Sequence, residues 1–298
     1  MFIQSPGPVK LTCVVIEIAN VHFRIIKLTN GLGANNMAPM SESAHDRTVL
    51  DQFTKQAVPF ANAPIHQDGM DLIRMTARLS PSDDVLDVAC GPGLVACALA
   101  AHARHVTGID MTPRMIEEAR ATAARAGATN VTWEVGTASP LPYPDESFSV
   151  VVTRYSFHHF ADPAAAFREM FRVCRTGGRV VVADLSIPSP HGLRFDAVER
   201  WRDPSHVHAL DPEELRALVT AYPVGDVNED GFGLDIELEN QLTLSFPVEG
   251  GAEKVRRAYA DSVADDTLGI RTRVVNGSMW STWPVRVIGA TKLRARVE

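Results

Sequence analysis

The sequence lacks the features that mark disulfide-rich, metal-binding and nucleic-acid-binding proteins. It has only four cysteines in 298 residues, none of them in a CxxC pair, and no Cys/His cluster has the spacing of metal ligands. Lys and Arg form no block and the net charge is −7, so no basic stripe for nucleic acid is expected. We therefore expect buried, reduced thiols in a cytoplasmic protein, without a metal or a nucleic-acid partner.

The sequence also has no uninterrupted apolar run of membrane-spanning length. Residues 10–28 are apolar, but polar and charged side chains break the run, which suits neither a membrane span nor a signal peptide. Two interpretations of the extension formed by residues 1–40 stay open. Either it contains a true N-terminal strand, or translation naturally starts at Met37 or Met40. We assign no function to this extension.

Short apolar strands and helical patterns alternate through the middle of the chain. Strands are predicted at residues 84–89, 105–110, 131–135, 148–154 and 179–185. Helical patterns separate most of them, and Pro113 and Gly127 mark the start and the end of one such helix. This alternation predicts right-handed βαβ units and an α/β fold with a doubly wound, mostly parallel sheet.

Further elements flank this core on both sides. The sequence predicts helices at residues 49–60 and 70–79, another from Asp211, a half-buried strand at 234–239, a helix at 252–263 and a last strand at 284–292. No repeat and no low-complexity linker divides the chain. We therefore expect one domain over residues 41–298, with a cofactor core at 83–185 and substrate-facing elements at 45–80 and 186–283.

The loop that follows the first strand of the core poses a question about its ligand. In "GPGLVA", Gly91, Gly93 and Ala96 match the dinucleotide pattern GxGxxG/A, and Asp110 ends the next strand at the spacing of a ribose-binding acid. However, Asp87 lies only four residues before Gly91. A carboxylate there disfavours a pyrophosphate and favours a ligand that carries an ammonium or sulfonium cation.

Four stretches together make a more specific pattern. They are "VLDVACGPG" from residue 85, "GIDMTPRMIEEAR" from 108, "GTASPLPYPDESFSVV" from 136 and "SFHHFADPAAAFREMFRVCRTGGRVVVAD" from 156. In order and spacing they resemble the motifs of class I S-adenosylmethionine-dependent methyltransferases, in the subgroup that includes the ubiquinone/menaquinone-biosynthesis enzymes with a type 11 domain. The resemblance implies a Rossmann-like, seven-stranded sheet with an antiparallel last strand, a helical N-terminal lid, and methyl transfer to O, N or C of a small molecule.

The resemblance also implies which residues hold S-adenosylmethionine. Asp87 would lie near the methionine ammonium, Asp110 would accept both ribose hydroxyls, and Met111 and Met115 would flank the adenine. Thr137 stands where the family usually has an acid, so one hydrogen bond to the adenine would be weaker. The full implied set is Asp87, Ala89, Cys90, Gly91, Pro92, Gly93, Asp110, Met111, Met115, Thr137, Ala138 and Arg154, the last through its backbone carbonyl.

Candidate catalytic residues follow the fourth strand. Methyl transfer needs a base only when the acceptor must lose a proton at attack, and His158 and His159 stand where the acceptor would meet the cofactor. The alternative is that they pack or bond the following turn. Candidates for contact with the acceptor are Phe53, Tyr155, His206 and His208. For the last two, a surface turn before the helix at Asp211 is an equally good interpretation.

Two other functions remain open from the sequence. The first is an NAD-dependent oxidoreductase, which would tolerate Asp87→Asn. The second is a methyltransferase-like protein that binds the cofactor without catalysis. The sequence does not name the acceptor, and a homodimer is one possible assembly.

Deletion of residues 1–36 is expected to leave the affinity for S-adenosylmethionine unchanged, because every implied cofactor residue lies beyond position 86. Isothermal titration of the truncated and full-length proteins measures this directly. A large loss of affinity in the truncated protein would assign the extension a part in cofactor binding.

Overall fold

The computed structural model describes residues 12–18, 21–27, 43–62 and 68–294, and the chain divides into two units between Glu42 and Ser43. In the first unit, β1 (Thr12–Ile18) and β2 (Val21–Lys27) form an antiparallel hairpin. Met37 and Met40 lie outside the described residues.

The second unit is organised around one large sheet. Its strands are β3 (Asp84–Val88), β4 (His105–Asp110), β5 (Val131–Val135), β6 (Phe148–Arg154), β7 (Cys174–Leu185), β8 (Val224–Glu237), β9 (Arg273–Val275) and β10 (Ser278–Lys292). They are ordered β5-β4-β3-β6-β7-β10-β8, and β9 pairs with β10 outside this path. Strands β3 to β7 pair in parallel, whereas β10 runs antiparallel to its neighbours β7 and β8. The predicted fold class is confirmed, and β9 adds a short strand to the predicted seven.

Helices connect the strands and cover the sheet. They are α1 (Ala44–Asn62), α2 (Met70–Ala77), α3 (Leu94–Ala100), α4 (Pro113–Ala126), α5 (Pro163–Val173), α6 (Ser189–Arg202), α7 (Pro212–Thr220), α8 (Leu238–Ser245) and α9 (Gly251–Ser262). Helix α4 begins with a proline, whose fixed φ suits a first turn, and ends at Gly127 in the left-handed conformation. At α7, the Asp211 carboxylate accepts backbone N–H groups as half of a capping box. Within the part of the chain that the structure describes, no helix has the length and apolar content to cross a membrane.

Three clusters of apolar side chains pack the helices against the sheet. Neighbouring residues of each parallel strand face opposite sides, so Leu86 packs with Phe167 of α5 while Val85 packs with Leu99 of α3. A third cluster lies beneath α6 and α9 and contains Tyr259 and Trp283. This third cluster extends the core beyond the carboxyl end of β7, which is where a doubly wound sheet binds its ligands.

Several predicted boundaries are wrong, and the strands predicted to begin at residues 234 and 284 begin at Val224 and Ser278. The stretch predicted as a strand at residues 234–239 ends at Glu237, and Leu238 begins α8. The cause is local, because the Glu237 side chain accepts the backbone N–H of Asn240 and caps the new helix. Strand β7 also begins at Cys174, earlier than the predicted residue 179.

Candidate active site

The carboxyl ends of four neighbouring strands bring charged side chains to one edge of the sheet. Asp87 lies in β3, Asp110 ends β4, Arg154 ends β6 and Asp184 precedes the last residue of β7. Both Asp87 and Asp184 have 1% of their surface exposed. Buried carboxylates are costly unless they are paired or hydrogen-bonded, so this edge is the candidate site.

The loop after β3 is shaped for close approach by a ligand. Ala89, Gly91 and Gly93 all adopt positive φ, of 53°, 51° and 79°. A Cβ atom added to Gly91 would find only the Met115 sulfur, at 4.0 Å, whereas one on Gly93 would lie 2.5 Å from the Trp133 ring. Gly91 therefore leaves open space in front of the loop, while Gly93 is needed for packing.

Asp87 is a buried carboxyl that forms no ion pair with another described residue. Its Oδ2 accepts the backbone N–H of Ala96 at 3.0 Å. Burial raises the pKa of Asp87 to about 7, against the opposing effects of Arg154 and of the Ala96 N–H, and Asp110 adds to the rise. A bound cation would stabilise the ionised form, so this position has the electrostatics of a cation site.

Asp110 holds the loop and retains capacity for further donors. Its oxygens accept the backbone N–H groups of Gly91 at 2.9 Å and of Thr112 at 2.8 Å. Burial raises the pKa of Asp110 in spite of both bonds. An ionised carboxylate has about four lone-pair sites, so two hydroxyl donors still find acceptors there.

The remaining implied cofactor residues line or support the same loop. Cys90 and Pro92 are buried, and burial raises the pKa of the Cys90 thiol, which keeps it in the unreactive protonated form. Met115 is buried under the loop and Met111 is half-buried. The Thr137 hydroxyl donates to the Pro140 carbonyl at 3.2 Å, and Ala138 packs against the core.

Arg154 ends β6, and the next residue, Tyr155, packs against the cluster under α6 and α9. The Arg154 guanidinium lies 4.7 Å from the centre of the Tyr155 ring, and its Nη1 donates to the Asp68 carbonyl at 3.2 Å. Burial lowers the pKa of Arg154. The Tyr155 hydroxyl is buried and finds no hydrogen-bond partner among the described residues, so it can bond a ligand.

His158 forms an acid–imidazole pair with Asp184. The His158 Nδ1 atom lies 2.5 Å from Asp184 Oδ1, and the backbone N–H groups of Ser156, Phe157 and Leu185 donate to the same carboxylate. Burial would lower the pKa of His158, but Asp184 outweighs it and the pKa is raised. The Nε2 atom has no hydrogen bond to any described residue, which leaves it available to an acceptor.

His159 is held differently. Its Nδ1 atom lies 3.1 Å from the Ser205 hydroxyl, which in turn donates to Asp203 at 2.5 Å. The Phe53 ring meets it edge-on, 4.9 Å between centroids. Burial, reinforced by the charge of His158, holds the pKa of His159 well below its usual range. His159 therefore stays neutral at a pH at which His158 is protonated.

His206 and His208 share one buried carboxylate. Asp196 Oδ1 lies 2.7 Å from His206 Nε2, and Asp196 Oδ2 lies 2.6 Å from His208 Nδ1. The His208 Nε2 atom bonds Glu214 at 3.0 Å. The structure thus brings His158, His159 and His206 together, with ring centroids 4.2 to 6.3 Å apart, and places His208 on the outer side of Asp196.

Sequence reasoning did not identify the carboxylates that organise these histidines. Asp184, Asp196 and Asp203 are all buried and bonded to histidine or to its serine partner. Only Asp184 could have been recognised from the sequence, because it is an acid that interrupts the apolar run of a buried strand. Asp196 and Asp203 give no such signal, because acids on a helix and in a turn are ordinary. Among the described residues, no group of three or more His, Cys, Asp and Glu side chains is arranged to hold a metal ion.

A groove of about 610 Å³ opens beside the carboxyl end of β7. Its apolar lining includes Pro188, Phe232 and Val285, and its charged lining includes Asp266 and Arg271. Ligand pockets commonly have volumes of roughly 300 to 1,000 Å³. This groove therefore has the size of a small-molecule site.

The chain matches a family model described as a methyltransferase domain over residues 86–182. It is 33% identical over 194 residues to the uncharacterized methyltransferase YcgJ of Bacillus subtilis, covering 64% of this chain and 77% of that protein. It is 40% identical over 139 residues to 27-O-demethylrifamycin SV methyltransferase of Amycolatopsis mediterranei, covering 44% of this chain and 51% of that enzyme. The chain thus spans about half the length of this second relative.

The fold is also similar to solved structures. The crystal structure of YcgJ from Bacillus subtilis aligns with a TM-score of 0.69 and 26% identity, over 77% of this chain and 99% of that one.

Asp184→Asn is expected to lower the pKa of His158 below its ordinary value of about 6.5, because burial then acts without the opposing carboxylate. Histidine-labelled protein titrated by NMR measures this pKa. Asp145→Asn, at an exposed ion pair with Arg172, is the matched control and should leave the His158 titration in place. An unchanged pKa in Asp184→Asn would contradict the assigned pair.

Proposed function

This chain belongs to the class I S-adenosylmethionine-dependent methyltransferases, and we propose that it methylates a hydroxyl of a small molecule with His158 as the base. The observation that carries the proposal is the buried His158–Asp184 pair, with Nε2 of the histidine directed away from its carboxylate partner. The relative from Amycolatopsis mediterranei is named as an O-methyltransferase. In this proposal, His159 holds the turn and packs against Phe53.

The residues at the β3 and β4 ends fit the cofactor. Asp87 is a buried carboxyl with a pKa of about 7 and no ion pair within the described part of the chain, so it would hold the methionine ammonium. Asp110 would accept the ribose hydroxyls while it keeps its backbone bonds. Open space in front of Gly91 admits the nucleoside. When bound, S-adenosylmethionine supplies a methyl group on a sulfonium, whose sulfur is a leaving group that needs no proton from an acid.

The protein's part in the reaction is to position the acceptor and remove its proton. Asp184 fixes the His158 ring by its bond to Nδ1, so the Nε2 lone pair is the basic site. The pKa raised by Asp184 increases the affinity of that nitrogen for the acceptor proton. Proton removal by a positioned base contributes roughly 10² to 10⁴-fold to such rates.

A small acceptor is supported by the groove beside β7. Pro188, which lines the groove, lies four residues after Asp184 in the chain. Tyr155 offers a buried hydroxyl without a partner among the described residues. We propose that the acceptor lies in this groove with its hydroxyl toward His158.

Localisation and assembly stay predictions. The four cysteines have no pairing pattern, which favours the cytoplasm. A homodimer and the absence of nucleic-acid partners are also predictions.

The affinity for S-adenosylmethionine is expected to fall as the pH drops through about 7, by up to tenfold per unit. The free protein holds Asp87 protonated below its pKa, so binding of a cation must displace that proton. Asp87→Asn should bind at least about tenfold more weakly at pH 8, with little pH dependence between 6 and 8. Titration calorimetry with S-adenosylmethionine measures both effects.

The matched control is Asp71→Asn, whose side chain is 90% exposed on α2 and should leave the affinity unchanged. Wild-type affinity in Asp87→Asn would contradict the role proposed for Asp87.

The reaction is tested with methyl-labelled S-adenosylmethionine, the purified protein and a fractionated host extract. Label is expected in the small organic fraction, and the labelled compound identifies the acceptor and the methylated atom. His158→Gln should reduce transfer by at least about a hundredfold, and His159→Gln by less than tenfold. Label in protein or nucleic acid would contradict the small-molecule acceptor. Cofactor binding without any transfer would favour the non-catalytic alternative.

A further inference from the structure

The groove beside β7, which holds the acceptor in the proposed function, has both an apolar and a charged lining. Its volume is about 610 Å³. Four apolar side chains line it, those of Pro188, Phe232, Pro284 and Val285. Five charged side chains line it as well, those of Glu229, Asp230, Asp266, Arg271 and Arg286. A ligand of matching chemistry therefore has an apolar body and at least one polar or charged group.

Contacts at Phe232 join this groove to the edge of the sheet that carries Asp87. Gly69, at the start of α2, lies against the Phe232 ring, since a Cβ atom there would be 2.2 Å from Phe232 Cζ. The carbonyl of the preceding residue, Asp68, accepts Arg154 Nη1 at 3.2 Å. Arg154 ends β6, and its charge acts on Asp87. One wall of the groove is thus two contacts away from the carboxyl end of β6.

The acidic residues of β8 that line the groove already have partners. Glu229 Oε2 accepts Nη1 of Arg216 at 2.9 Å, and Glu229 Oε1 accepts Nη1 of Arg286 at 3.3 Å. Asp230 Oδ1 accepts the backbone N–H of Gly231 at 2.8 Å. The negative charge of Glu229 is therefore offset by two arginines, one of which is the groove's own Arg286.

Arg271 differs from these groups, because its guanidinium has no hydrogen bond or ion pair with any described residue. Its backbone has a φ of 49°, in the left-handed region that side chains disfavour. The Asp266 carboxylate holds this conformation, since its Oδ1 accepts the N–H groups of Ile270 at 3.0 Å and of Arg271 at 2.7 Å. The third carboxylate of the groove thus fixes the backbone that carries this guanidinium.

An anionic group is the ligand chemistry that suits this lining. A guanidinium is a fork of N–H donors that matches the two oxygens of a carboxylate. Such a ligand gives Arg271 the partner that it lacks among the described residues. A cationic ligand would meet Arg271 as a like charge, and it would compete for carboxylates that are already hydrogen-bonded or ion-paired.

On the basis of the proposed function, which places the acceptor in this groove, we propose that the acceptor is an acid. Its carboxylate binds the Arg271 guanidinium, and its apolar body lies against Phe232 and Val285. Arg271 thereby selects acidic molecules over neutral and basic ones of the same shape. It takes no part in the transfer of the methyl group, so its contribution is to the affinity for the acceptor.

The test titrates three probes of similar shape into ¹⁵N-labelled full-length protein with S-adenosylhomocysteine bound, which keeps the probes out of the cofactor site. They are phenylacetate, phenylacetamide and phenethylamine, which are anionic, neutral and cationic near neutral pH. NMR follows the Nε–H signal of Arg271, identified by its loss in Arg271→Gln. Phenylacetate is expected to bind about fivefold more tightly than phenylacetamide, because an exposed ion pair contributes modestly, and phenethylamine is expected to bind least.

In Arg271→Gln, the affinity for phenylacetate should fall to that for phenylacetamide. Arg257→Gln is the matched control, because Arg257 is also exposed but lies on α9 and outside the groove lining. It should keep the wild-type preference. Three results would each contradict the acidic acceptor: equal affinity of the wild-type protein for phenylacetate and phenylacetamide, tighter binding of phenethylamine, or unchanged phenylacetate affinity in Arg271→Gln. Arg271 is exposed, so its variant is expected to fold.

The titration involves no methyl transfer, so its outcome is separate from that of the labelling experiment. A preference for the carboxylate at Arg271 without transfer of label would support the acidic ligand and contradict the proposed reaction. Transfer of label without a preference for the carboxylate would contradict the acidic acceptor alone.

Discussion

The buried carboxylate of Asp184 is the interaction on which the acceptor side of the site depends. It accepts three backbone N–H groups and one imidazole nitrogen, with 1% of its surface exposed. Two of those N–H groups belong to the turn after β6. The Asp184 side chain of β7 therefore holds the backbone of the turn that follows the neighbouring strand. Loss of one partner of such a group leaves a buried charge unsatisfied, which is costlier than the loss of an ordinary hydrogen bond.

On the cofactor side, the buried carboxylate has few hydrogen bonds rather than many. Asp87 is equally buried but accepts one backbone N–H among the described residues, and burial raises its pKa to about 7. Saturated hydrogen bonding at Asp184 therefore gives a rigid support, and incomplete hydrogen bonding at Asp87 suits the cation-binding role that we propose for it. Asp87 and Asp184 lie at the same end of the sheet because parallel strands have their carboxyl ends on one side.

Much of this architecture was predictable from the sequence, and the reasons are local. The central strands β3, β4 and β6 are mostly buried on both faces and appear as apolar runs, while Pro113 and Gly127 delimit α4. The glycine loop and Asp110 have fixed spacing along the chain. The roles of His158 and His159 were not separable, because they differ through Asp184 and Ser205, which are distant in sequence. Contacts of this kind depend on how segments pack, and no pattern of neighbouring residues encodes them.

The strand order has a consequence for synthesis on the ribosome. Strand β10, at residues 278–292, lies between β7 and β8, although both are translated before it. Among the described strands, β8 pairs only with β10, and Trp283 and Val285 of β10 belong to the cluster under α6 and α9. The glycine loop and its parallel strands can form earlier, during elongation. Every strand around the glycine loop has therefore been translated before the strand that completes the cluster under α6 and α9.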